Sequence, residues 1–224
     1  MKPIHFSQYQ GVIFDMDGVL IDSEPLWKIA MDDVFSSLGS TLKKSDFQQT
    51  VGLRIDQVVT YWNHRENWGI QDETAVVNLI IDRMCALVAE HPYPLKGVIE
   101  TLTFLQASPV KIGLATSSPQ RLIDAVLDAL NIRTYFDAVH SAELERYGKP
   151  HPAVYLQTAA SLSLSPNTCL VIEDSLNGVI AGKAAMMQVV CIPEKTHIPN
   201  PKLVLADFHY DNMALFLDDI RKEN

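Results

Sequence analysis

The chain has 224 residues, of which 47% are hydrophobic, and it carries a formal net charge of −9 at pH 7. This composition is typical of a globular protein with a substantial core. Because a chain this acidic repels nucleic acids and anionic lipids, neither is an expected partner. Three widely spaced cysteines without a CxxC pair indicate neither a disulfide framework nor a zinc site. The first residues lack the apolar region of a signal peptide, and no apolar run has membrane length, so we expect a cytoplasmic protein.

Short apolar runs that alternate with helical patterns dominate the chain outside one long insertion. Five runs predict buried strands, at residues 11–14, 111–115, 138–140, 170–172 and 189–192. Three helices are predicted between the later runs. The first has Ser118 as N-cap and Pro119 as its first residue, the second opens at Pro152, and the third covers residues 176–186. Strands that alternate with helices in this way predict a parallel sheet covered on both faces.

The segment between the first and second predicted strands has a different pattern. Apolar residues at helical spacing predict three helices there, over residues 26–38, 55–62 and 76–88. Gly39 ends the first of these helices and Pro92 ends the third. We therefore predict an α/β protein with a Rossmann-like parallel-sheet core, formed by residues 1–22 and 95–224, and a small inserted α-helical cap domain, residues 23–94.

Polar side chains follow the ends of the predicted strands, where ligands bind in parallel α/β sheets. They are Asp15 and Asp17 after the first strand, Thr116 after the second, Lys149 in the loop after the third, and Glu173 with Asp174 after the fourth. Each alone also has a structural explanation, as a turn, a helix cap or a solvated side chain. Together, carboxylates at several strand ends would repel each other unless a cation joins them, and an oxygen-rich set suits Mg²⁺.

Such a cluster is suited to phosphoryl transfer. Attack of a carboxylate on a phosphate ester meets charge repulsion, which Mg²⁺ and Lys149 would reduce. Asp15 would attack and form an acyl phosphate, while Asp17 would protonate the departing alcohol and later accept a proton from water. The hydroxyl of Thr116 would hold the phosphate oxygens.

The sequence resembles the haloacid-dehalogenase-like phosphohydrolases over nearly its whole length. Four motifs carry the resemblance: Asp15-Met16-Asp17-Gly18, Thr116 with Ser117, Lys149-Pro150-His151-Pro152, and Glu173-Asp174-Ser175-Leu176-Asn177-Gly178. The resemblance implies that Asp15 is the nucleophile and Asp17 the acid and base. It implies phosphate ligands at Thr116, Ser117 and Lys149. It also implies Mg²⁺ bound by Asp15, the backbone carbonyl of Asp17, and Asp174, with or without Glu173.

Within this family the chain is similar to the beta-phosphoglucomutase-like group, and there to phosphatases of sugar phosphates such as 2-deoxyglucose 6-phosphate and hexitol phosphates. The segment Gly52-Leu53-Arg54 matches a part of the cap whose arginine contacts the polar end of the substrate, which implies that role for Arg54. A solvated arginine at a helix start is the alternative.

The mutases carry a cap histidine where this chain has Trp27, and a bulky apolar group cannot relay a proton, which favours hydrolysis. Met186 replaces the usual glycine after the fourth-motif helix.

These observations predict a Mg²⁺-dependent phosphatase that hydrolyses small sugar or sugar-alcohol phosphate monoesters through an aspartyl-phosphate intermediate. A phosphosugar mutase with the same intermediate is the first alternative. A phospho-acceptor receiver module is more remote, because receivers are shorter and need no proton shuttle at the position of Asp17. The expected partner is a small phosphorylated metabolite, and the family suggests a monomer.

Overall fold

A six-stranded parallel sheet forms the centre of the protein. The computed structural model describes residues 4–193 and 200–223. The predicted core therefore lies outside the described part at residues 1–3, 194–199 and 224. The strands are β1 (Gly11–Phe14), β2 (Lys111–Thr116), β3 (Ala138–Ser141), β4 (Cys169–Glu173), β5 (Gln188–Cys191) and β6 (Phe208–His209). Their order is β3-β2-β1-β4-β5-β6, and every neighbouring pair is parallel. The α/β class with a Rossmann-like sheet is therefore confirmed.

Helices cover the sheet and also form the insertion after β1. In chain order they are α1 (Glu24–Ser37), α2 (Ile55–Glu66), α3 (Glu73–Glu90), α4 (Val98–Gln106), α5 (Gln120–Ala129), α6 (Ala153–Ser161), α7 (Leu176–Ala184) and α8 (Met213–Ile220). The first three lie between β1 and α4, within the segment for which the sequence predicts a helical cap. Within the described residues, no helix is long and apolar enough to cross a membrane.

The central strands are buried on both faces, which explains why they read as continuous apolar runs. All four residues of β1 are buried. Val12 and Phe14 belong to the larger apolar cluster, whereas Ile13 between them belongs to the cluster on the opposite face. This alternation is the period of two that side chains follow along a strand.

The strand register brings the candidate residues to one edge of the sheet. Phe14 pairs with Leu114 of β2 and with Ile172 of β4, so these three strands end at nearly the same level. The backbone N–H of Asp15 donates to the carbonyl of Ile172 at 2.9 Å and continues the ladder by one residue. The residues that follow the three strands are consequently neighbours in space.

The buried apolar side chains of the inserted helices continue the larger apolar cluster of the sheet. Phe35 and Phe47 pack edge to face with ring centroids 5.9 Å apart, and Trp62 lies beside Phe47. Helix α3 packs against α5 of the core, where Arg121 forms an ion pair of 3.0 Å with Asp82. The insertion is thus joined to the core by packing as well as by its two chain connections.

Some helix boundaries differ from those predicted. Helix α5 begins at Gln120 with Pro119 as its N-cap, so the prediction of Ser118 as N-cap is wrong. The Ser118 hydroxyl donates instead to Asp17, which removes it from capping. Helix α7 ends at Ala184 rather than at residue 186, and Met186 follows with a left-handed φ of 64°. The sequence analysis did not identify α4, α8 or β6.

Candidate active site

Lys149 connects two carboxylates at the carboxyl end of the sheet. Its ammonium lies 3.0 Å from Oδ1 of Asp15 and 2.7 Å from Oε1 of Glu173, and it donates to the carbonyl of Ala115 at 3.1 Å. Lys149, Asp15 and Glu173 are all buried. The loop after β3 therefore brings a cation to the ends of β1 and β4, at the edge where the sequence predicts that the polar groups meet.

Glu173 is surrounded by hydrogen-bond donors. Its Oε1 accepts from Lys149 and, at 2.6 Å, from the hydroxyl of Tyr155. Its Oε2 accepts from the backbone N–H groups of Asp174 and Ser175 and from the Ser175 hydroxyl, at 3.0 to 3.1 Å. A Cβ at Gly178 would overlap this carboxylate, so the glycine of the fourth motif makes room for it. Both oxygens of Glu173 are thus occupied within the protein.

The pKa values of this group follow from burial and charge. Burial alone would lower the pKa of Lys149, but Asp15 and Glu173 outweigh it and hold that pKa above its usual value. Burial would likewise raise the pKa of Glu173, but Lys149 and the other donors hold it below its usual value. Burial raises the pKa of Asp15 to about 7, with Lys149 opposing and Glu173 and Asp17 adding to the rise. Full ionisation of Asp15 at neutral pH therefore calls for further positive charge.

Asp17 accepts hydrogen bonds from both parts of the protein. On the side of the inserted helices, Oδ1 accepts from the hydroxyl of Ser23 at 2.6 Å and from the indole N–H of Trp27 at 3.0 Å. On the core side, Oδ2 accepts from the hydroxyl of Ser118 at 2.7 Å and lies 3.5 Å from that of Thr116. These four donors fix the direction of the carboxylate.

Three carboxylates could hold a metal ion here. Asp15, Glu173 and Asp174 offer oxygen atoms that all lie within 4.8 Å of one another. Gly18, with φ of +68°, lies against Asp174, and a Cβ at that position would overlap the Asp174 carboxylate. The glycine of the first motif therefore lets the β1 loop approach the acid after β4, which is required for Asp15 and Asp174 to share an ion.

A cavity of about 100 Å³ opens above these carboxylates, between the core and the inserted helices. The core supplies Asp15, Asp17, Lys149 and Asp174 together with the loop 116–119. The inserted segment contributes a mostly apolar wall that includes Met31, Phe47, Val51, Leu53, Ile55 and Val58. Its polar groups there are those of Ser23, Glu24, Trp27 and Thr50. This arrangement suits a small ligand with an anionic end directed at the sheet.

Thr116 and Ser117 lie at the cavity, whereas Arg54 does not line it. The Thr116 hydroxyl accepts from the backbone N–H of Ser118, and the buried Ser117 hydroxyl has no protein partner among the described residues. The Arg54 guanidinium donates to the carbonyls of Ala142 and Glu145 at 3.0 and 2.6 Å and pairs with the Asp56 carboxylate. Arg54 thus joins the inserted segment to the loop that leads to Lys149.

Comparison with known proteins identifies the family. A model of the family described as haloacid dehalogenase-like hydrolase matches residues 12–192, a span that contains every candidate residue above. The chain belongs to this family. The family resemblance predicted from the four motifs is confirmed.

Relatives in the haloacid dehalogenase-like family include named phosphatases. Hexitol phosphatase B from Escherichia coli (strain K12) is 44% identical over 208 residues, which cover 92% of this chain and 94% of the relative. A phosphorylated carbohydrates phosphatase from Thermotoga maritima is 32% identical over 185 residues, with 79% and 81% covered. The crystal structure of beta-phosphoglucomutase from Clostridium difficile superposes with a TM-score of 0.82 and 23% identity, covers 96% of both chains and shows a shared fold.

Several residues that contact the site were not predicted from the sequence. Ser23, Ser118 and Tyr155 were not identified, and Trp27 was considered only as an apolar group. Ser23 precedes a predicted helix and Ser118 lies in the second motif, so their types were visible while their partners were not. The contact between Trp27 and Asp17 depends on how α1 packs over the sheet, which no local pattern reveals.

Proposed function

We propose that this protein hydrolyses small sugar or sugar-alcohol phosphate monoesters by way of a phosphoryl group carried on Asp15. The observation that supports it most is the placement of Asp15 beside a buried, charged Lys149 and beneath a cavity enclosed by the inserted helices. The named activities of the hexitol and carbohydrate phosphatases point to the same substrate class.

In the proposed reaction, Asp15 attacks phosphorus and the alcohol departs. Lys149 is charged and buried, so its field acts at low dielectric on both the nucleophile and the incoming phosphate. The hydroxyls of Thr116 and Ser117 line the cavity beside Asp15 and are available to phosphate oxygens. The unpartnered Ser117 hydroxyl gains a hydrogen bond when phosphate binds, which favours the occupied state.

Asp17 handles the protons in this proposal. It is two residues beyond the nucleophile and lines the same cavity, where it would meet the departing alcohol. Protonation of the leaving oxygen speeds formation of the acyl phosphate, and the resulting carboxylate then takes a proton from the attacking water. One residue thus serves both half-reactions.

The donor set fits Mg²⁺, which prefers carboxylate and carbonyl oxygens. The carboxylates of Asp15 and Asp174 and the backbone carbonyl of Asp17 would hold the ion. Bound there, the ion would supply positive charge that reduces repulsion between the nucleophile and the phosphate. The five donors on Glu173 lead us to assign it to the positioning of Lys149 rather than to direct metal binding.

A phosphate-release assay on a hexitol phosphate and on 2-deoxyglucose 6-phosphate tests the proposal. We expect turnover with Mg²⁺, loss of turnover with excess chelator, and recovery when Mg²⁺ is restored. Asp15→Asn should abolish turnover, whereas the exposed neighbour Asp22→Asn should retain it. Full activity in Asp15→Asn would overturn the assignment of the nucleophile. Conversion of glucose 1-phosphate to the 6-phosphate with a bisphosphate primer and no free phosphate would favour the mutase.

We extend the proposal to a monomer in the cytoplasm. Free thiols support a reducing compartment, since Cys85, Cys169 and Cys191 form no disulfide. Light scattering after size-exclusion chromatography tests the monomer, for which the expected mass is 25.0 kDa. A mass of twice that value at micromolar concentration would contradict it.

A further inference from the structure

Trp27 contacts Asp17 from the inserted segment. The indole N–H of Trp27 donates to Oδ1 of Asp17 at 3.0 Å, and the ring lines the cavity. Trp27 lies in the first turn of α1, where its own backbone N–H donates to the carbonyl of Ser23. The turn that carries the indole therefore also carries the Ser23 hydroxyl, which donates to the same oxygen at 2.6 Å.

The two oxygens of Asp17 consequently have different surroundings. Oδ1 faces Ser23 and Trp27 of the inserted segment, whereas Oδ2 faces Ser118 and Thr116 at the sheet edge. In the proposed function Thr116 holds the phosphate, so Oδ2, which faces Thr116, is the oxygen on the phosphate side. A leaving oxygen can replace the weak 3.5 Å contact from Thr116 without disturbing either bond to Oδ1.

The chemistry of the indole sharpens this difference. An indole N–H is a donor only and offers no acceptor atom. The lone pair of Oδ1 that faces Trp27 can therefore only accept, and a second hydrogen-bonding direction of this oxygen is already used by the Ser23 hydroxyl. Oδ2 has one short bond, from Ser118, and one weak contact, from Thr116, so it is the oxygen with room for the leaving group.

From this geometry we infer that Trp27 is a positioning residue for Asp17: it anchors Oδ1 and leaves Oδ2 to exchange protons with the leaving group. The kinetic consequence of this inference rests on the proposed function, whereas the contact between Trp27 and Asp17 does not depend on it. It also gives the inserted helices a part in the chemistry, because both donors to Oδ1 of Asp17 come from the start of α1.

Leaving-group dependence provides the kinetic test. Departure of a sugar-alcohol oxygen needs a proton, whereas departure of 4-nitrophenolate hardly does. Trp27→Phe should therefore lower kcat/KM for a hexitol phosphate about tenfold more than for 4-nitrophenyl phosphate, since one donor to a charged group is lost. Equal losses on the two esters would overturn the inference.

Trp62→Phe is the matched control. Trp62 also belongs to the inserted helices, and its buried indole N–H has no hydrogen-bond partner among the described residues. The same replacement of indole by phenyl at this position removes no hydrogen bond. The ratio of kcat/KM values for the two esters should therefore stay that of the wild type. A change of that ratio in Trp62→Phe as large as in Trp27→Phe would count against a specific role of Trp27.

A readout without turnover separates this inference from the proposed function. Each of the three tryptophans gives one indole signal in a proton–nitrogen spectrum, and the Trp→Phe variants assign them. Asp17→Ala should shift the Trp27 indole signal and leave that of Trp62 in place. An unmoved Trp27 signal would overturn the contact, whatever the activity. If the Trp27 signal moves in Asp17→Ala but the wild-type protein has no phosphatase activity, the proposed function is rejected and the contact stands.

Discussion

The ammonium of Lys149 lies 2.7 Å from Oε1 of Glu173, and both side chains are almost completely removed from solvent. Burial of either charge alone would be very unfavourable, so each residue depends on the other for its ionised form. The hydroxyl of Tyr155 and the turn after β4 supply further donors to Glu173. This pair fixes the position of the cation that faces Asp15.

We predict that Glu173→Gln destabilises the protein by about 3–5 kcal/mol, because it leaves the charge of Lys149 partly uncompensated in the interior. Urea unfolding followed by circular dichroism measures the change. Asp128→Asn is the control, since it removes an exposed partner of Arg133, and its unfolding midpoint should hardly move. Unfolding of Glu173→Gln at the wild-type midpoint would show that the pair does not hold Lys149 in place.

Gly18→Ala should prevent the approach of the β1 loop to Asp174. Gly18 adopts φ of +68°, and a Cβ there would overlap the Asp174 carboxylate. We expect a loss of Mg²⁺ binding by calorimetry and of Mg²⁺-dependent turnover, because the two acids can no longer share an ion.

Gly39→Ala separates this overlap from backbone strain. Gly39 has a similar φ of +82°, but no atom lies within 4 Å of the position that its Cβ would occupy. Both variants should lose about 1 kcal/mol of stability, because alanine is strained in the left-handed conformation that glycine adopts freely. Only Gly18→Ala should lose metal binding, and equal metal affinities in the two variants would contradict the prediction.

The sequence predicted the central strands well because burial on both faces leaves a continuous apolar run. The strands β1, β2 and β4 were identified within one residue at each end, and with them the edge that carries the site. The helices α4 and α8 have nine and eight residues, so the helical period is repeated only about twice. Helix α6 is equally short but was predicted, because Pro152 marks its start. The strand β6 has two residues and pairs with β5.

The site was predictable to the extent that strand order determines it. Asp15, Thr116 and Glu173 follow from the ends of adjacent parallel strands, and Lys149 from the next loop. The partner of each side chain was not predictable, since rotamers depend on tertiary packing. The guanidinium of Arg54 contacts the carbonyls of Ala142 and Glu145, residues nearly ninety positions away, and no local pattern distinguishes that contact from one with substrate.

Arg54→Gln tests this contact. Loss of the two hydrogen bonds should loosen the inserted helices from the loop before Lys149 and raise KM by about threefold to tenfold. A hexitol phosphate and 4-nitrophenyl phosphate should be affected equally, because the cavity closes less well over either. A rise in KM confined to the hexitol phosphate would instead support the sequence-based prediction that Arg54 contacts the polar end of the substrate. Arg65→Gln, whose partners Gln49 and Tyr61 lie within the insertion, is the control.

Glu73 should make the stability of the inserted helices depend on pH. It begins α3 and accepts from Asn63 at 2.7 Å and from Thr60 at 2.5 Å, both on α2. The bond from Asn63, followed by that from Thr60, lowers the pKa of Glu73 below its usual value of 4.5. A group whose pKa is lower in the folded state stabilises that state above the unfolded pKa, and this contribution disappears as the pH falls through the folded pKa.

Thermal unfolding of the wild type and of Glu73→Gln measures this contribution. We expect Tm of the wild type to exceed that of the variant from pH 8 down to about pH 5, and the difference to shrink at lower pH as Glu73 becomes protonated. The comparison isolates the charge, because the glutamine oxygen can accept from Asn63 while the glutamine amide N–H donates to the Thr60 hydroxyl, which is able to accept. A difference for Glu73→Gln that persists unchanged to the lowest pH would mean that the contribution does not come from the ionised carboxylate.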